Sequence, residues 1–164
     1  MTMPAKFHFP PPPLPNQAEL RKRVHIAEQM MLKAMADPGE LHVEHYFAAG
    51  VYGRAIYIPK GVFLTGKIHK YPQINVLVSG DLTVMTEEGA KRVKPPFVVV
   101  SPAGTKRIAY ANEDTVWLTL HGTHETDVDK IEEQFIAGTE EDFLAFWKDE
   151  QERIEGGQPC LGQT

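Results

Sequence analysis

The 164 residues suffice for one domain with its own core and are too few for two. A hydrophobic share of 42% is that of a globular chain, and a net charge of −5 argues against a nucleic-acid polymer as partner, since such binders carry a basic face. The one cysteine, Cys160, has no internal disulfide partner, and no stretch has the apolar length of a membrane span or secretory signal, so a cytoplasmic protein that engages no membrane is expected.

The first landmark is "FPPPPLPN", Phe9 to Asn16, whose prolines enforce an extended arm and forbid helix. Asn16 then reads as an N-cap with Glu19 three residues on, as in a capping box. Leu20, Val24, Ala27, Met31 and Ala34 form one apolar stripe, opposed by Arg21, Lys22, Arg23, Glu28 and Lys33, and Pro38 and Gly39 end the helix. Residues 1–40 are thus an arm and an amphipathic helix.

From Leu41 the texture changes. "LHVEHYF", "VYGRAIYI", "VFLTGKIH", "INVLVS", "LTVMT", "FVVVS", "KRIAYA" and "TVWLTLH" are short and rich in β-branched and aromatic residues, with turn signals such as "PKG", "SGD", "EEGAK" and "PAGT" between them. Such spacing predicts an all-β sandwich or barrel over residues 41–125. Helical periodicity returns in residues 126–164. Thr126 with Asp129 reads as one helix start, and Thr139 with Asp142 as another, followed by Phe143, Phe146 and Trp147 on an apolar edge. These helices are expected to close or cover the β-body.

The central stretch "GVFLTGKIHKYPQINVLVSG" runs from Gly61 to Gly80. Its spacing resembles the first motif of the cupin superfamily, G-x5-H-x-H-x3-E-x6-G, with Lys67, His69 and Gln73 at the three ligand positions. "PFVVVSPAGTKRIAYAN" is similar to the second motif, G-x5-P-x-G-x2-H-x3-N. Pro102 and Gly104 match it, Arg107 stands at the histidine position, Pro96 replaces the leading glycine, and Asn112 falls one place late. The chain also looks like small cupin-like proteins encoded by bacteriophages. The resemblance implies an all-β core, a cupin-like jelly-roll β-barrel with an N-terminal helical arm and C-terminal helices. It further implies a small-molecule pocket in the barrel and a homodimer, for which the first helix and proline arm are candidate contacts.

In the family the motif ligands hold a divalent metal. Here Lys67 and Arg107 offer only donors, and Gln73 is a weak substitute for a carboxylate. Strand alternation puts Lys67 and His69 on one side with Thr65 and Phe63. The expected centre is therefore an anion site, with Lys67 and Arg107 neutralising a sugar phosphate, carboxylate or nucleotide, and His69 and Gln73 orienting it. Tyr52, Phe63 and Trp117 are candidates for an apolar wall. "TVWLTLH" puts Trp117, Thr119 and His121 on one strand face, and "HVEH" puts His42 with Glu44. No cofactor is favoured. The alternative is an enzyme, either an isomerase or epimerase with His69 as general base, or a lyase or oxygenase whose divalent metal is held by His69, Gln73 and His121.

Overall fold

The computed structural model describes residues 15–34 and 39–156; the proline arm and Cys160 lie outside them. Its elements in chain order are α1 (Pro15–Ala34), β1 (His42–Ala48), β2 (Val51–Ile58), β3 (Phe63–Thr65), β4 (Ile68–His69), β5 (Gln73–Ser79) and β6 (Leu82–Thr86). They continue with β7 (Gly89–Val93), β8 (Phe97–Ser101), β9 (Ile108–Ala111), β10 (Thr115–Gly122), α2 (Val128–Phe135), β11 (Ile136–Ala137) and α3 (Glu140–Glu155). The strands form a five-stranded sheet, β1-β2-β10-β5-β8, a four-stranded sheet, β3-β9-β6-β7, and a two-stranded piece, β11-β4, and every pairing is antiparallel. This is a cupin-like jelly roll with helices at both ends.

Alternation decides what faces the interior. Cross-strand partners share a face, so the five-stranded sheet points three successive rows inward. Phe47, Tyr52, His121, Gln73 and Ser101 form the first row. His45, Arg54, Thr119, Asn75 and Val99 form the second, and Val43, Ile56, Trp117, Leu77 and Phe97 the third. The third row continues into a closed apolar core in which Ile58, Leu77, Leu82, Val93 and Ala111 are buried and Leu64, Val84, Ala109 and Trp117 pack around them. Each large side chain buried there contributes about 1.5–3 kcal/mol. The barrel is thus greasy at one end and polar at the other.

Glycine explains two of the turns. Gly80, which closes the first motif, has φ 93°, and a Cβ there would lie 2.3 Å from Thr115 Oγ1. Gly104, in the second, has φ 77°, and a Cβ would lie 2.6 Å from the Phe143 ring. Both positions need a residue that tolerates positive φ and occupies no space.

Several local expectations are corrected. The stretch "VFLTGKIH" is two strands, because β3 pairs with β9 and β4 with β11, and Gly66 and Lys67 between them belong to neither. Gly66 N donates to Arg107 O there, at 2.8 Å. "EEGAK" is not only a turn, since β7 starts inside it and pairs with β6. The N-cap of α2 is Asp127, whose carboxylate accepts from the amides of Asp129 and Lys130. The Thr139–Asp142 capping box, by contrast, opens α3 as its spacing predicts. Glu19 reaches forward to Arg23 at 3.0 Å.

The apolar stripe of α1 is used within the chain, with Leu20 and Val24 buried, so those residues are not free to contact a second subunit. Arg21, placed by periodicity on the solvent side, is also buried. Its Nε and Nη2 donate to Glu140 at 2.6 and 2.7 Å, its Nη1 donates to Gly104 O at 2.9 Å, and it lies over the Phe143 ring. A guanidinium can be buried when its donors are matched in this way. It ties α1 and α3 to the turn that carries Gly104. No described helix is long and apolar enough to cross a membrane.

Candidate functional site

The polar end of the barrel converges on two imidazoles. His121 projects inward from β10 and His69 from β4, and their rings lie nearly parallel, with centroids 5.4 Å apart. β4 is held in place by its pairing with β11, which sets Ile136 opposite His69. Gly104 N also donates to His69 O at 2.7 Å. Tyr52 extends the stack beyond His121, with centroids 6.3 Å apart, and is anchored by a 2.7 Å hydrogen bond between its hydroxyl and His45 Nδ1. Phe135, the last residue of α2, caps the stack 4.3 Å from His121. It packs with Tyr52, Ile131 and Tyr71 in a small apolar cluster.

Three polar atoms here are sealed from solvent and have no partner: His69 Nδ1, His121 Nδ1 and Gln73 Oε1. A buried polar group without a hydrogen bond costs about 1–3 kcal/mol, so three in one place indicate a site adapted to something other than its own side chains. Both imidazoles are held neutral. Burial pushes the His69 pKa down to about 3, with the charges of His121, Arg54 and Lys67 adding to the effect. Burial, then Arg54, pushes His121 down to about 4. A neutral ring carries one N–H and one lone pair, so each can donate to, or accept from, a guest.

Below this layer Asn75 organises the second row. Its Oδ1 accepts from Trp117 Nε1 at 3.2 Å and Thr119 Oγ1 at 2.8 Å, and its Nδ2 donates to Ser101 Oγ at 2.9 Å. Asn75 is therefore held through both its oxygen and its nitrogen and forms a rigid floor. In the same row Arg54 points inward from β2. Among the described residues no ion pair or side-chain hydrogen bond is shown for it, yet its charge lowers the pKa of both imidazoles.

The two cations expected to share the hollow are each engaged elsewhere. Lys67 forms an ion pair with Glu132 of α2. Arg107 donates to Glu87, in the turn between β6 and β7, at 2.9 Å. The cause is local. The gap between β3 and β4 at Gly66 and Lys67 breaks the alternation that would have set Lys67 beside His69, and each head meets a carboxylate. Phe63 is also outside: it stacks on Tyr110 on the outer face of the four-stranded sheet and is more than half exposed. Trp117 lies in the apolar third row, below the imidazoles. The structure therefore gathers His69, His121, Gln73 and Tyr52, and leaves Lys67, Arg107 and Phe63 out of that group. Arg54 and Asn75 were missed. Their signal was present, since Arg54 stands two residues from Tyr52 in "VYGRAIYI" and Asn75 two from Gln73 in "QINVLVS".

The resemblance to cupins raises a divalent metal, and the donor set can be tested against one. Two imidazole nitrogens and an amide oxygen are present, without a carboxylate. Among the described residues no group of three or more His, Cys, Asp or Glu is arranged to hold a cation. An inward guanidinium with no shown counter-charge repels a dication. These residues do not fit the metal.

No family model matches the sequence, and no curated protein matches it. Solved structures do. KdgF from Halomonas sp. is 21% identical with a TM-score of 0.46, over 57% of this chain and 87% of that one. A putative ethanolamine utilization protein, EutQ, from Salmonella typhimurium is 15% identical with a TM-score of 0.45, over 55% of this chain and 75% of that one. The Cupin_2 domain of an XRE family transcriptional regulator from Enterobacter cloacae is 13% identical with a TM-score of 0.44, over 53% of this chain and all of that one.

Proposed function

We propose that the barrel is a binding site for a small anionic or polar molecule, with Arg54 supplying the positive charge and neutral His69, His121 and Gln73 orienting the guest. The observation that carries this reading is an inward guanidinium with no shown counter-charge, in the row next to three sealed polar atoms without partners. A molecule that carries a hydroxyl beside a carboxylate or phosphate would satisfy them together, the hydroxyl donating to Gln73 Oε1. The acid group would accept from Arg54 in a fork and from the N–H of each imidazole. The hydrogen-bonded Asn75 floor and the Tyr52 wall fix the site's shape.

Lys67 and Arg107 act at the edge of this picture. Lys67 ties α2 to the strand region through Glu132, and Arg107 holds the β6–β7 turn through Glu87. His69 as a general base for isomerisation is the weaker reading. A base with a pKa of about 3 is poorly matched to proton abstraction near neutral pH.

The test is to purify the protein, release bound small molecules by denaturation, and identify them by mass spectrometry with metals measured in the same sample. A carboxylate or phosphate compound present in the wild type and absent from Arg54→Met supports the reading. Stoichiometric first-row metal that disappears in His69→Gln overturns it.

A further inference from the structure

The outer face of the four-stranded sheet carries a constellation separate from the barrel interior. Register places Phe63, Tyr110, Thr83 and Arg92 in one row across β3, β9, β6 and β7. All four point away from the barrel, because their neighbours Leu64, Ala109, Val84 and Val93 pack into the core. The aromatic half of the row is open. Phe63 is 56% exposed, and its ring lies 4.5 Å from that of Tyr110, inclined at 43°, so the pair makes a shallow trough. A phenylalanine exposed to this degree leaves apolar surface in water that a ligand can cover.

The polar half is fixed from beneath. Asp81 has no exposed surface, yet it accepts from Arg92 Nε and Nη2 at 2.8 and 2.6 Å, from Lys94 Nζ at 2.9 Å and from Asn112 Nδ2 at 3.0 Å. Asn112 Nδ2 also donates to Thr83 Oγ1 at 2.9 Å. Among the described residues no hydrogen bond is shown for Arg92 Nη1 or Asn112 Oδ1, and Thr83 Oγ1 only accepts from Asn112. A guanidinium N–H, a hydroxyl hydrogen and an amide oxygen are thus held in place beside the trough. Their side chains are already ordered, so engaging them costs little further entropy.

Charge decides the kind of guest. Arg92 and Lys94 face Asp81, and Glu113 is close enough to act on Arg92, so two cations stand against two carboxylates. Such a patch offers no net attraction to a phosphate, which disfavours a nucleotide on these rings. It suits a neutral ring with a C–H face and a hydroxyl rim. The C–H face packs on the negative faces of Phe63 and Tyr110, and the hydroxyls bond the fixed polar groups. The row crosses three strand gaps of about 4.8 Å, roughly 14 Å in all, so one sugar ring cannot reach both halves and a short chain of rings can. We infer that this face is a docking site for a polysaccharide chain, with sugar rings stacked on Phe63 and Tyr110 and hydroxyls held by Thr83, Asn112 and Arg92.

NMR amide-shift mapping of the full chain with cellohexaose, chitohexaose and maltohexaose, each to about 5 mM, tests this. At least one should move the amides of β3, β9 and β6 in a saturable way. Phe63→Ala should weaken that binding about tenfold and Thr83→Val about fivefold. Phe63 is exposed and Thr83→Val keeps the side-chain shape, so both variants should fold. Val98→Thr, on the outer face of the other sheet, should leave the binding unchanged. The inference is overturned if none of the three sugars moves those amides, or if binding keeps its wild-type strength in both variants. Shifts that fall instead on Tyr52, Gln73 and His121 overturn it by putting the sugar in the barrel. Adenosine monophosphate binding the same row more tightly than every sugar overturns the choice of guest. Shifts of the row that grow with protein concentration alone overturn it in favour of a protein contact.

Discussion

Lowering the pH from 7.5 to 5.0 should destabilise this protein through two residues. The folded chain holds His121 neutral down to about pH 4 and His69 down to about pH 3, whereas an unperturbed imidazole takes its proton near 6.5. The folded pKa values are depressed, so the stability is fully present above about pH 6.5. It declines as the unfolded state protonates first, and the loss is complete only once pH has fallen through about 4 and then about 3. At pH 5 each ring favours unfolding by about 2 kcal/mol, or about 4 kcal/mol for the pair, a large part of a typical total of about 5–15 kcal/mol. Carboxylates with lowered pKa values, such as Glu28 and Glu125, act mainly below this window. Urea unfolding at several pH values measures the slope, and NMR titration of the imidazoles measures its origin. His69→Gln and His121→Gln should each remove about half of the loss. The reasoning fails if the double variant keeps the wild-type slope, or if both rings titrate near 6.5 in the folded protein.

Other outcomes follow from the same contacts. Arg54→Met should raise both imidazole pKa values while leaving them below 6.5, because burial is the larger cause and Arg54 the lesser; NMR titration decides. Phe143→Ala, at a ring with no exposed surface, should cost about 3–5 kcal/mol, seen as a drop in melting temperature of about 6–20 °C. Gly104→Ala should cost about 1–3 kcal/mol, because the added methyl meets both Phe143 and Arg21 at a positive φ, and calorimetry would register it. Lys67→Gln should leave stability within about 1 kcal/mol, since its ion pair with Glu132 is exposed on both sides.

The fold was legible because its signals are short in range. Period-two alternation fixed most strands, and the glycines at 80 and 104 marked turns that only glycine fits. Motif spacing survived the change of ligand letters because it records backbone geometry. The cations of the site were less legible for a definite reason. Alternation carries over only while a strand is unbroken, and Gly66 and Lys67, which lie in neither β3 nor β4, break it between Thr65 and His69. The partners of Lys67 and Arg107, Glu132 and Glu87, are 65 and 20 residues away in sequence, and no local pattern announces them. Arg54 hid in the reverse way. It sits in a regular strand, but without knowing which face was inward nothing distinguished it from a surface charge. His121 was found because its strand face already carried Trp117 and Thr119.

The helix α2 lies over the imidazole stack with Phe135 against His121, and its Glu132 grips Lys67 beside the β4 strand. If the guest proposed above entered from that side, it would have to displace this aromatic ring first, and its exchange would keep the pace of the helix rather than of diffusion. Because the latch on that ring is an exposed ion pair, added salt should hasten traffic through this entrance while leaving the occupied state almost as favourable as before.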